Sequence, residues 1–408
     1  MNMDETMRDE ILKPLIRTKA ETKIILLVID GLGGLPGNEA GQTELEAAHT
    51  PNMDYVAANS ICGLHLPVYN GITSGSGPAH LGLFGYDPME YRTGRGVLAA
   101  LGVDFDLQPQ DIAARGNFCT LDESGRVTDR RAGRISTDKS AGLCRMLEKI
   151  DIPGVSIFVQ PVKDYRFLLV LRGESLSADI SDTDPQETGL SPKSPEGGTP
   201  EAEKTLKYVR MFLDRAEDIL GDQYPANMVL LRGFSKRPEW PTINQRFGLK
   251  GLAVSGYPMY RGLSRLIGMD VAETGESLDQ EFEALADQWD NFDYFYVHVK
   301  PVDSAGEDGD FGRKVRLLEA LDEKIPRILE LNPDVLILTG DHSTPSTMKS
   351  HSWHPVPVCL FSADCRPDEV KRFGERACLP GGLGPRFPAK DLMPLALANA
   401  HRLVKYGA

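Results

Sequence analysis

The hydrophobic and polar positions along the chain predict a parallel sheet covered by helices. Three runs, at residues 23–30, 292–299 and 334–340, are apolar almost throughout. Continuous apolarity over that length is typical of strands that are buried on both faces. Between the second and third runs, apolar residues recur near helical spacing from Val315 to Ile328. Strand, helix and strand in this order indicate a βαβ unit.

The middle of the chain has a different pattern, which predicts an inserted domain. ARGNFCTLDESGRVTDRRAGRI reads as two strands around a turn, and strand-like runs and a capped amphipathic helix follow it. A polar loop at 181–199 is long enough to be a substrate-covering lid or a linker. We therefore expect an α/β fold with a discontinuous core, residues 1–109 and 251–408, and a smaller α+β cap domain at 110–250.

Composition and charge narrow the class of protein. The chain has 408 residues, 41% of them hydrophobic, and a net charge of −14. That acidic balance argues against nucleic acid as a partner, and no apolar run approaches the roughly 20 residues that span a bilayer. The first residues lack the apolar segment of a signal peptide, and the six cysteines form no CxxC pair. We expect a cytoplasmic enzyme with reduced thiols and no membrane partner.

Carboxylate and imidazole side chains follow the ends of the three predicted strands. In open α/β sheets, ligands bind at the carboxyl ends of the strands. Each residue alone is an ordinary turn former or hydrogen-bonded side chain, but together they would repel one another unless a cation neutralised them. Such a ligand set without cysteine suits Mn²⁺, Zn²⁺ or Mg²⁺. The candidate ligands are Asp30, Asp303, Glu307, Asp341, His342 and His351.

The glycine-rich stretch GITSGSGPAH, residues 71–80, carries two serines directly before a predicted helix. Two interpretations stay open. Ser76 or Ser74 is an ordinary helix N-cap, or Ser76 is a nucleophile that a metal ion activates beside a bound phosphoryl group. Neither GLGGLPG nor GITSG has the spacing of a dinucleotide fingerprint or of a nucleophile elbow, and the chain contains no P-loop.

The motifs VIDGLGG, TPNMD, GSGPAHLGLFGYDP, VHVKPVDSAGEDGDF, TGDHSTP and SHSWHPVPV occur in this order from about residue 22 onwards. Together they resemble the archaeal-type cofactor-independent phosphoglycerate mutases of the alkaline phosphatase superfamily. The resemblance implies an alkaline-phosphatase-like core that interconverts 3-phosphoglycerate and 2-phosphoglycerate, in glycolysis and gluconeogenesis, without 2,3-bisphosphoglycerate. It also implies two divalent metal ions, Mn²⁺ first, with Mg²⁺, Zn²⁺ and Co²⁺ as alternatives.

The resemblance also implies roles for individual residues. Ser76 would be the nucleophile that is transiently phosphorylated. One metal would be held by Asp30, Ser76, Asp341 and His342, and the other by Asp303 with His351. The superfamily usually has histidine where this chain has Glu307, so whether that carboxylate is a ligand stays open. His354, nearby in the sequence, is expected to support a ligand rather than to bind metal.

Arginines are suited to binding a small anion, because they contact carboxylate and phosphate in a bidentate manner. The candidate substrate-binding residues are Arg130, Arg131, Arg134 and Arg166 in the predicted cap, with Lys300 and His80 in the core. Lys300 either contacts the phosphoryl group or pairs with Asp303. His80 acts in general acid/base catalysis or is structural.

Two other functions stay open on the sequence. One is another metal-dependent phosphatase or phosphotransferase of the same superfamily, which the cap would distinguish because the cap selects the substrate. The other is a catalytically silent metal-binding or regulatory protein, which the glutamate at 307 makes conceivable. The oligomeric state is also open, a homo-oligomer included.

Overall fold

The structure, a computed structural model, describes residues 5–17, 20–275 and 277–407. The chain forms two compact units. The larger unit comprises residues 1–92, 240–257 and 267–408, and the smaller comprises 93–239 and 258–266. The domain boundaries expected from the sequence, at 110 and 250, stay predictions.

Two sheets contain the strands of the described residues. The strands are β1 (Ile24–Ile29), β2 (Ser60–Leu66), β3 (Ile112–Leu121), β4 (Val127–Asp129), β5 (Ser156–Lys163), β6 (Arg166–Arg172), β7 (Met228–Ser235), β8 (Gly251–Val254), β9 (Asp270–Val271), β10 (Tyr294–Val299), β11 (Val335–Thr339), β12 (Val356–Ser362) and β13 (Gly384–Pro388).

Both units contain helices. They are α1 (Glu5–Leu12), α2 (Glu44–Ala47), α3 (Pro51–Ala58), α4 (Ser76–Leu83), α5 (Arg95–Gly102), α6 (Thr137–Leu147), α7 (Pro200–Leu220), α8 (Ile243–Phe247), α9 (Pro258–Leu266), α10 (Leu278–Asp287), α11 (Pro301–Asp308), α12 (Phe311–Asp322), α13 (Ile325–Glu330), α14 (Glu375–Cys378) and α15 (Leu392–Asn399).

The larger unit is built on an eight-stranded sheet in the order β13-β2-β12-β11-β1-β10-β8-β9. β12 runs antiparallel to both of its neighbours, and the other paired strands are parallel. The prediction of an α/β fold with a mainly parallel sheet is therefore confirmed. β1 lies between β10 and β11, and all six of its residues are buried. Each such aliphatic side chain contributes about 1.5–3 kcal/mol by leaving water.

The helical segment between β10 and β11 differs from the single periodic run in the sequence. It comprises α11, α12 and α13, and α12 ends at Asp322 before α13 begins at Ile325. Pro326 lies in the first turn of α13, where its missing N–H is tolerated although it would break a continuous helix. Leu318, Leu321 and Ile328 are fully buried in the core of the larger unit.

The smaller unit has an antiparallel five-stranded sheet, in which β3 pairs with β4, β6 and β7, and β5 pairs with β6. Helices α6 and α7 supply Leu143, Val209 and Phe212 to its separate hydrophobic core. The loop that begins at residue 181 is bound along β7, because the amide of Thr183 donates to the carbonyl of Leu231 at 3.0 Å. In both units, none of the helices within the described residues is long and apolar enough to cross a bilayer.

Candidate active site

Three adjacent parallel strands of the larger unit bring the predicted ligands to one edge of the sheet. Asp30 directly follows β1, Asp341 and His342 follow β11, and Asp303 lies in α11, which begins just after β10. All four side chains are buried, with at most 2% of their surface exposed. The strands are in register at this edge, since Ile29 of β1 pairs with Val299 of β10. The sheet topology therefore determines which side chains converge.

The loop after β1 needs its glycines to approach the other two strands. Gly31 has a φ of +67°, and a Cβ there would lie 2.8 Å from the Cα of Asp303. A Cβ on Gly33 would lie 1.9 Å from the Oγ of Ser343. Only glycine allows both the positive φ at the first position and the close contact at the second. The GLGG sequence thus serves close packing beside Asp30.

Two overlapping groups of side chains could each hold a metal ion. The ligand atoms of Asp30, Asp341 and His342 lie within 4.8 Å of one another, as do those of Asp303, His342 and His351. His342 belongs to both groups, whereas the sequence assigned it to one metal only. The nitrogen and oxygen atoms in these groups suit Mn²⁺, Zn²⁺ or Mg²⁺.

The electrostatics of the first group also fit a cation. The Oδ2 atom of Asp341 is buried and accepts no hydrogen bond within the described part of the chain. It lies 3.2 Å from the Nε2 atom of His342 and 3.3 Å from the Nδ1 atom of His80. Burial and the negative charge of Asp30 raise the pKa of Asp341 well above its usual value. A bound cation would offset both the burial of the Asp341 carboxylate and its repulsion by Asp30.

Asp30 itself stays ionised because cationic and imidazole neighbours surround it. Burial alone would raise the pKa of Asp30, but the charge of Lys300, together with His298 and His342, holds the pKa well below its usual value. The Nζ atom of Lys300 lies 3.0 Å from the Oδ2 atom of Asp30 and also donates to Asp303. Lys300 therefore pairs with one carboxylate from each candidate metal group.

Ser76 is placed beside these groups at the start of α4. Its Oγ atom lies 3.2 Å from the Nε2 atom of His342, and its side chain is partly exposed. The N-cap position of α4 is Gly75, without a side-chain cap, and the hydroxyl of Ser74 donates to the carbonyl of Gly75. The helix-cap interpretation of these serines is therefore wrong. A partly exposed hydroxyl beside candidate metal ligands is suited to act as a nucleophile.

His80 lies one turn into α4 and is fully buried. Its Nδ1 atom is 2.8 Å from the carbonyl oxygen of Ser76, which can accept a hydrogen bond from an N–H at that position. Burial, the largest cause, lowers the pKa of His80 to about 3. A neutral imidazole in this position holds the first turn of α4 against Asp341. Its predicted role in substrate binding stays a prediction.

The second group is more open to solvent. The Nδ1 atom of His351 lies 2.9 Å from the carbonyl oxygen of Ser74, so the proton belongs there and Nε2 faces Asp303 at 3.6 Å. The carboxylate of Glu307 lies 3.9 Å from the same Nε2 atom, and 54% of its side chain is exposed. Glu307 does not belong to the compact group of Asp303, His342 and His351.

Two residues that support the candidate ligands were not predicted from the sequence. The Nε2 atom of His298 lies 3.2 Å from the Oδ2 atom of Asp30. The hydroxyl of Thr344 donates to Asp303 at 2.7 Å and lies 3.0 Å from the Nδ1 atom of His342. A proton on that Nδ1 atom leaves the Nε2 lone pair free for a metal. His298 had a signal, since it is the one imidazole in the otherwise largely apolar strand FYVHV, whereas Thr344 had none. His354, expected to support a ligand, has its Nδ1 atom 3.0 Å from the hydroxyl of Ser352.

The smaller unit contains a cluster of arginines on adjacent strands. Arg115 of β3 pairs in register with Arg232 of β7. Burial, and then the charges of Arg95, Arg166 and Arg232, lower the pKa of Arg115 to about 9. Neither the Nε atom of Arg115 nor that of Arg232 has a hydrogen-bond acceptor among the described residues. Such a concentration of guanidinium groups favours a bound anion.

The predicted cap arginines have different surroundings. Arg166 belongs to this cluster and stacks on the ring of Tyr165 at 4.6 Å. Arg130 instead makes a bidentate pair with Asp184, at 2.9 and 2.7 Å. Arg131 and Arg134 are exposed.

The sequence analysis did not identify Arg95, Arg115 or Arg232. The signal that could have found two of them is an arginine followed by glycine inside an apolar strand, in AARGNF and VLLRGF.

Comparisons with known proteins show which family this chain resembles. The family model described as 2,3-bisphosphoglycerate-independent phosphoglycerate mutase matches residues 57–227. A relative from Aquifex aeolicus, named probable 2,3-bisphosphoglycerate-independent phosphoglycerate mutase, is 49% identical over 98% of this chain and 100% of its own length. A relative of the same name from Thermus thermophilus is 46% identical over 98% of this chain and 99% of its own.

Two solved structures are similar over nearly the whole chain. A protein from Pyrococcus horikoshii superposes with a TM-score of 0.83 at 29% identity, covering 96% of this chain and 100% of its own. The cofactor-independent phosphoglycerate mutase from Thermoplasma acidophilum has a TM-score of 0.67 at 29% identity, covering 93% of this chain and 100% of its own. The similarity therefore extends beyond the matched motifs to the fold.

Proposed function

This chain belongs to the family of 2,3-bisphosphoglycerate-independent phosphoglycerate mutases, and we propose that it interconverts 3-phosphoglycerate and 2-phosphoglycerate through a phosphorylated Ser76. The observation that carries the proposal is the position of the Ser76 hydroxyl. It is partly exposed and lies 3.2 Å from His342, the side chain common to both candidate metal groups. No other hydroxyl is needed to carry the phosphoryl group.

Two divalent ions, Mn²⁺ in the first instance, would lower the pKa of the Ser76 hydroxyl and neutralise charge on the phosphoryl oxygens when bound. Asp30, Asp341 and His342 would hold one, and Asp303 and His351, with Glu307 within reach, the other. His342 lies between the two groups and would be shared or assigned to one of them. Thr344 and His298 orient these ligands through the contacts described above.

The reaction conserves the phosphoryl group. The Oγ atom of Ser76 loses its proton and forms a bond to phosphorus as the bond from phosphorus to the 3-oxygen of glycerate breaks, and that oxygen takes up a proton. The 2-hydroxyl of the retained glycerate then loses its proton and attacks the phosphoserine, and the bond from phosphorus to Oγ breaks as the Oγ atom of Ser76 takes up a proton. Because no phosphate is released, no 2,3-bisphosphoglycerate is required to restore the enzyme.

Binding of the substrate anions is assigned to arginines. Arg166, predicted from the sequence, and the neighbouring Arg95, Arg115 and Arg232 present guanidinium groups in excess of their carboxylate partners. Arg130 is engaged by Asp184, which makes it a support for the cluster. Lys300 pairs with Asp30 and Asp303, which leaves the third N–H donor of its ammonium group for substrate. These assignments rest on charge and hydrogen-bonding capacity.

The enzyme is further assigned to the cytoplasm, with a small-molecule substrate as its partner and neither nucleic acid nor membrane. Its acidic net charge of −14 and its six free cysteines, five of them buried, support this environment. The number of subunits stays open, a homo-oligomer included.

The test is turnover of 3-phosphoglycerate by metal-stripped protein that is reloaded with Mn²⁺ in the absence of 2,3-bisphosphoglycerate. We expect 2-phosphoglycerate with little free phosphate. Free phosphate alone would instead assign the protein to the phosphatases, and neither product with any divalent metal would favour a catalytically silent protein.

Ser76→Ala should abolish mutase activity and leave Mn²⁺ binding within about tenfold, because three other ligands of that metal remain. The matched control is Ser74→Ala, since the hydroxyl of Ser74 donates to the adjacent Gly75 carbonyl and its loss should change turnover less than about threefold. Rates and Mn²⁺ titrations of both variants decide the assignment. Unchanged turnover in Ser76→Ala would remove this serine as nucleophile.

A further inference from the structure

Helix α12 contains a lysine that is fully buried in the larger unit. Lys314 has no exposed surface. Its Nζ atom donates to the backbone carbonyls of Gly31 at 2.9 Å, Gly33 at 3.1 Å and Thr344 at 2.9 Å. An ammonium group has three N–H donors, so this one is fully used by main-chain acceptors. Lysine is rarely buried to this extent, which calls for a physical reason.

The three carbonyls belong to the two loops that carry the first candidate metal group. Gly31 and Gly33 follow Asp30 at the end of β1, and Thr344 lies two residues after His342 at the end of β11. The same loops meet directly, because the amide of Thr344 donates to the carbonyl of Gly33 at 3.0 Å. Lys314 thus binds both loops behind the ligands.

Thr344 extends this connection to the second group. Its hydroxyl donates to Asp303 at 2.7 Å and lies 3.0 Å from the Nδ1 atom of His342. The carbonyl of the same residue is held by Lys314. Fixing the main chain of Thr344 therefore fixes a hydroxyl that orients one ligand from each group.

Charge neutralisation alone does not account for this arrangement. The nearest carboxylate oxygen, Oε2 of Glu44, lies 3.9 Å from the Nζ atom, too far for a hydrogen bond. The other oxygen of Glu44 accepts from the amide of Ser346, in the loop after β11. The direct contacts of Lys314 are with carbonyls, and burying a charge for such contacts is costly unless the geometry they impose is needed.

We propose that Lys314 is a positioning residue for catalysis, which fixes the loops after β1 and β11 so that Asp30, Asp341 and His342 converge on one metal ion. The proposal rests on the proposed function in that this site binds a divalent metal. Lys314 touches neither substrate nor metal ligand side chains. It acts through Gly31, Gly33 and Thr344, whose carbonyls it holds in one arrangement.

The test is Lys314→Met, which keeps an unbranched side chain that is one heavy atom shorter and removes its three donors. We expect the dissociation constant for Mn²⁺, measured by calorimetry, to rise at least tenfold, as is usual when support behind metal ligands is lost. At saturating Mn²⁺, kcat should fall at least tenfold while KM for 3-phosphoglycerate changes less than threefold. A folded variant with Mn²⁺ affinity and kcat within twofold of the parent overturns the proposal.

A destabilised core is a different explanation, and Ile328→Ala controls for it. Ile328 is fully buried in the adjacent helix α13 and has no part in the site. This variant should lower the melting temperature and keep the parent's Mn²⁺ affinity. Equal losses of Mn²⁺ affinity in Ile328→Ala and Lys314→Met would overturn a positioning role.

The double variant Lys314→Met/Glu44→Gln separates positioning from ion pairing. If Lys314 only neutralised Glu44, the double variant would regain Mn²⁺ affinity, which overturns the proposal; continued weak binding supports it.

Lys314→Gln keeps two N–H donors and should have intermediate affinity. If neither variant folds, even in saturating Mn²⁺, the lysine serves the fold rather than the site. A parent protein that binds no divalent metal contradicts the proposed function as well, whereas tight binding by Lys314→Met contradicts only this inference.

Discussion

At the scale of single residues, the candidate active site is a set of buried charges that a cation would neutralise. Asp30 and Asp341 face each other across His342, and only one of the two carboxylates is stabilised as an anion by its neighbours. Lys300 supplies one positive charge between Asp30 and Asp303. This balance leaves Asp341 as the side chain whose properties depend most on a bound metal.

Asp341→Asn should therefore stabilise the metal-free protein and remove its response to metal. The side-chain oxygen of asparagine can still accept from the amides of Gly31 and His342, as Oδ1 of Asp341 does. Its NH₂ group would replace the buried Oδ2 atom and could donate to Asp30. We expect the free energy of unfolding in EDTA at pH 8 to rise by about 1–3 kcal/mol, the usual cost of a buried polar atom without a hydrogen-bond partner.

Urea unfolding of both proteins with EDTA and with Mn²⁺ measures this effect. The parent should gain stability with Mn²⁺, by about 2.7 kcal/mol at 100 times the dissociation constant, and Asp341→Asn should not. Asp364→Asn, on an exposed carboxylate that pairs with His401, is the control and should match the parent. A destabilised Asp341→Asn in EDTA would contradict the assumed repulsion.

Glu307→Ala tests the residue at which this chain departs from the superfamily pattern. The carboxylate is 54% exposed and 3.9 Å from the Nε2 atom of His351, so we expect a modest, selective loss, up to about tenfold, in the affinity of one Mn²⁺ site. Calorimetric titration should show the other site unchanged. The neighbouring Asp308→Ala is the control, and equal titration curves for all three proteins would mean that Glu307 is not a ligand.

At the scale of elements, the candidate site side chains lie in short loops and at helix starts. The strands determine how far apart these loops and helix starts lie. β1, β10 and β11 are adjacent and parallel, so the residues that follow them meet at one edge. In the smaller unit, β3 and β7 are paired in register, so Arg115 and Arg232 lie side by side. In both places the side chains converge because of strand pairing rather than sequence proximity.

Arg115→Met should raise KM for 3-phosphoglycerate at least tenfold, because it removes a guanidinium from the centre of the arginine cluster. Loss of one charge-assisted hydrogen-bonded contact costs about 1.5–3 kcal/mol. Mn²⁺ affinity should stay within twofold, since the metal ligands belong to the other compact unit.

The comparison for this prediction is Arg131→Met. Arg131 is exposed, and the hydrogen bond from its backbone amide to Asp129 does not involve its side chain, so we expect less than a threefold change in KM. Steady-state kinetics of both variants separate the two assignments. A large effect at Arg131 with none at Arg115 would favour the sequence-based choice over the cluster on β3, β6 and β7.

At the scale of the whole molecule, each compact unit has its own hydrophobic core. The larger unit also buries carboxylates away from the metal groups. Glu375 accepts hydrogen bonds from the amide of Gly34 and the hydroxyl of Thr43. Burial outweighs these hydrogen bonds and raises the pKa of Glu375 to about 7. The stability of the molecule should therefore depend on pH through this residue.

The folded protein holds the Glu375 proton between the unfolded pKa of about 4.3 and the folded value. The stabilisation from this proton is complete below the unfolded pKa and is lost as the pH rises to the folded pKa of about 7. In Glu375→Gln, the fall in unfolding free energy over this range should shrink by about 1–2 kcal/mol, a figure reduced for partial solvent screening. Urea titrations at several pH values measure it, with the exposed Glu369→Gln as control. An unchanged pH profile would show that Glu375 keeps an ordinary pKa.

The sequence by itself determined the fold class and predicted the main candidate ligands. Uninterrupted apolar runs such as KIILLVI have one stable environment, a strand covered on both faces, and the residues after such strands are placed by the rules of parallel sheets. Asp30, Asp341 and His342 were therefore identifiable before the structure, and so was Ser76 once the motifs were recognised in order. The ordered motifs also indicated the family to which the chain belongs.

The tertiary structure alone decided what supports those residues. Thr344, Lys314, Arg115 and Arg232 act through partners that are distant in sequence, and a lysine in the helix FGRKVRLLEALD has the same local pattern whether it faces solvent or the loop after Asp30. Likewise, only strand pairing shows that Arg115 and Arg232 are neighbours while Arg130 is engaged by Asp184. Local patterns carry the preference of a segment for helix or strand, whereas convergence of polar groups depends on how the segments pack.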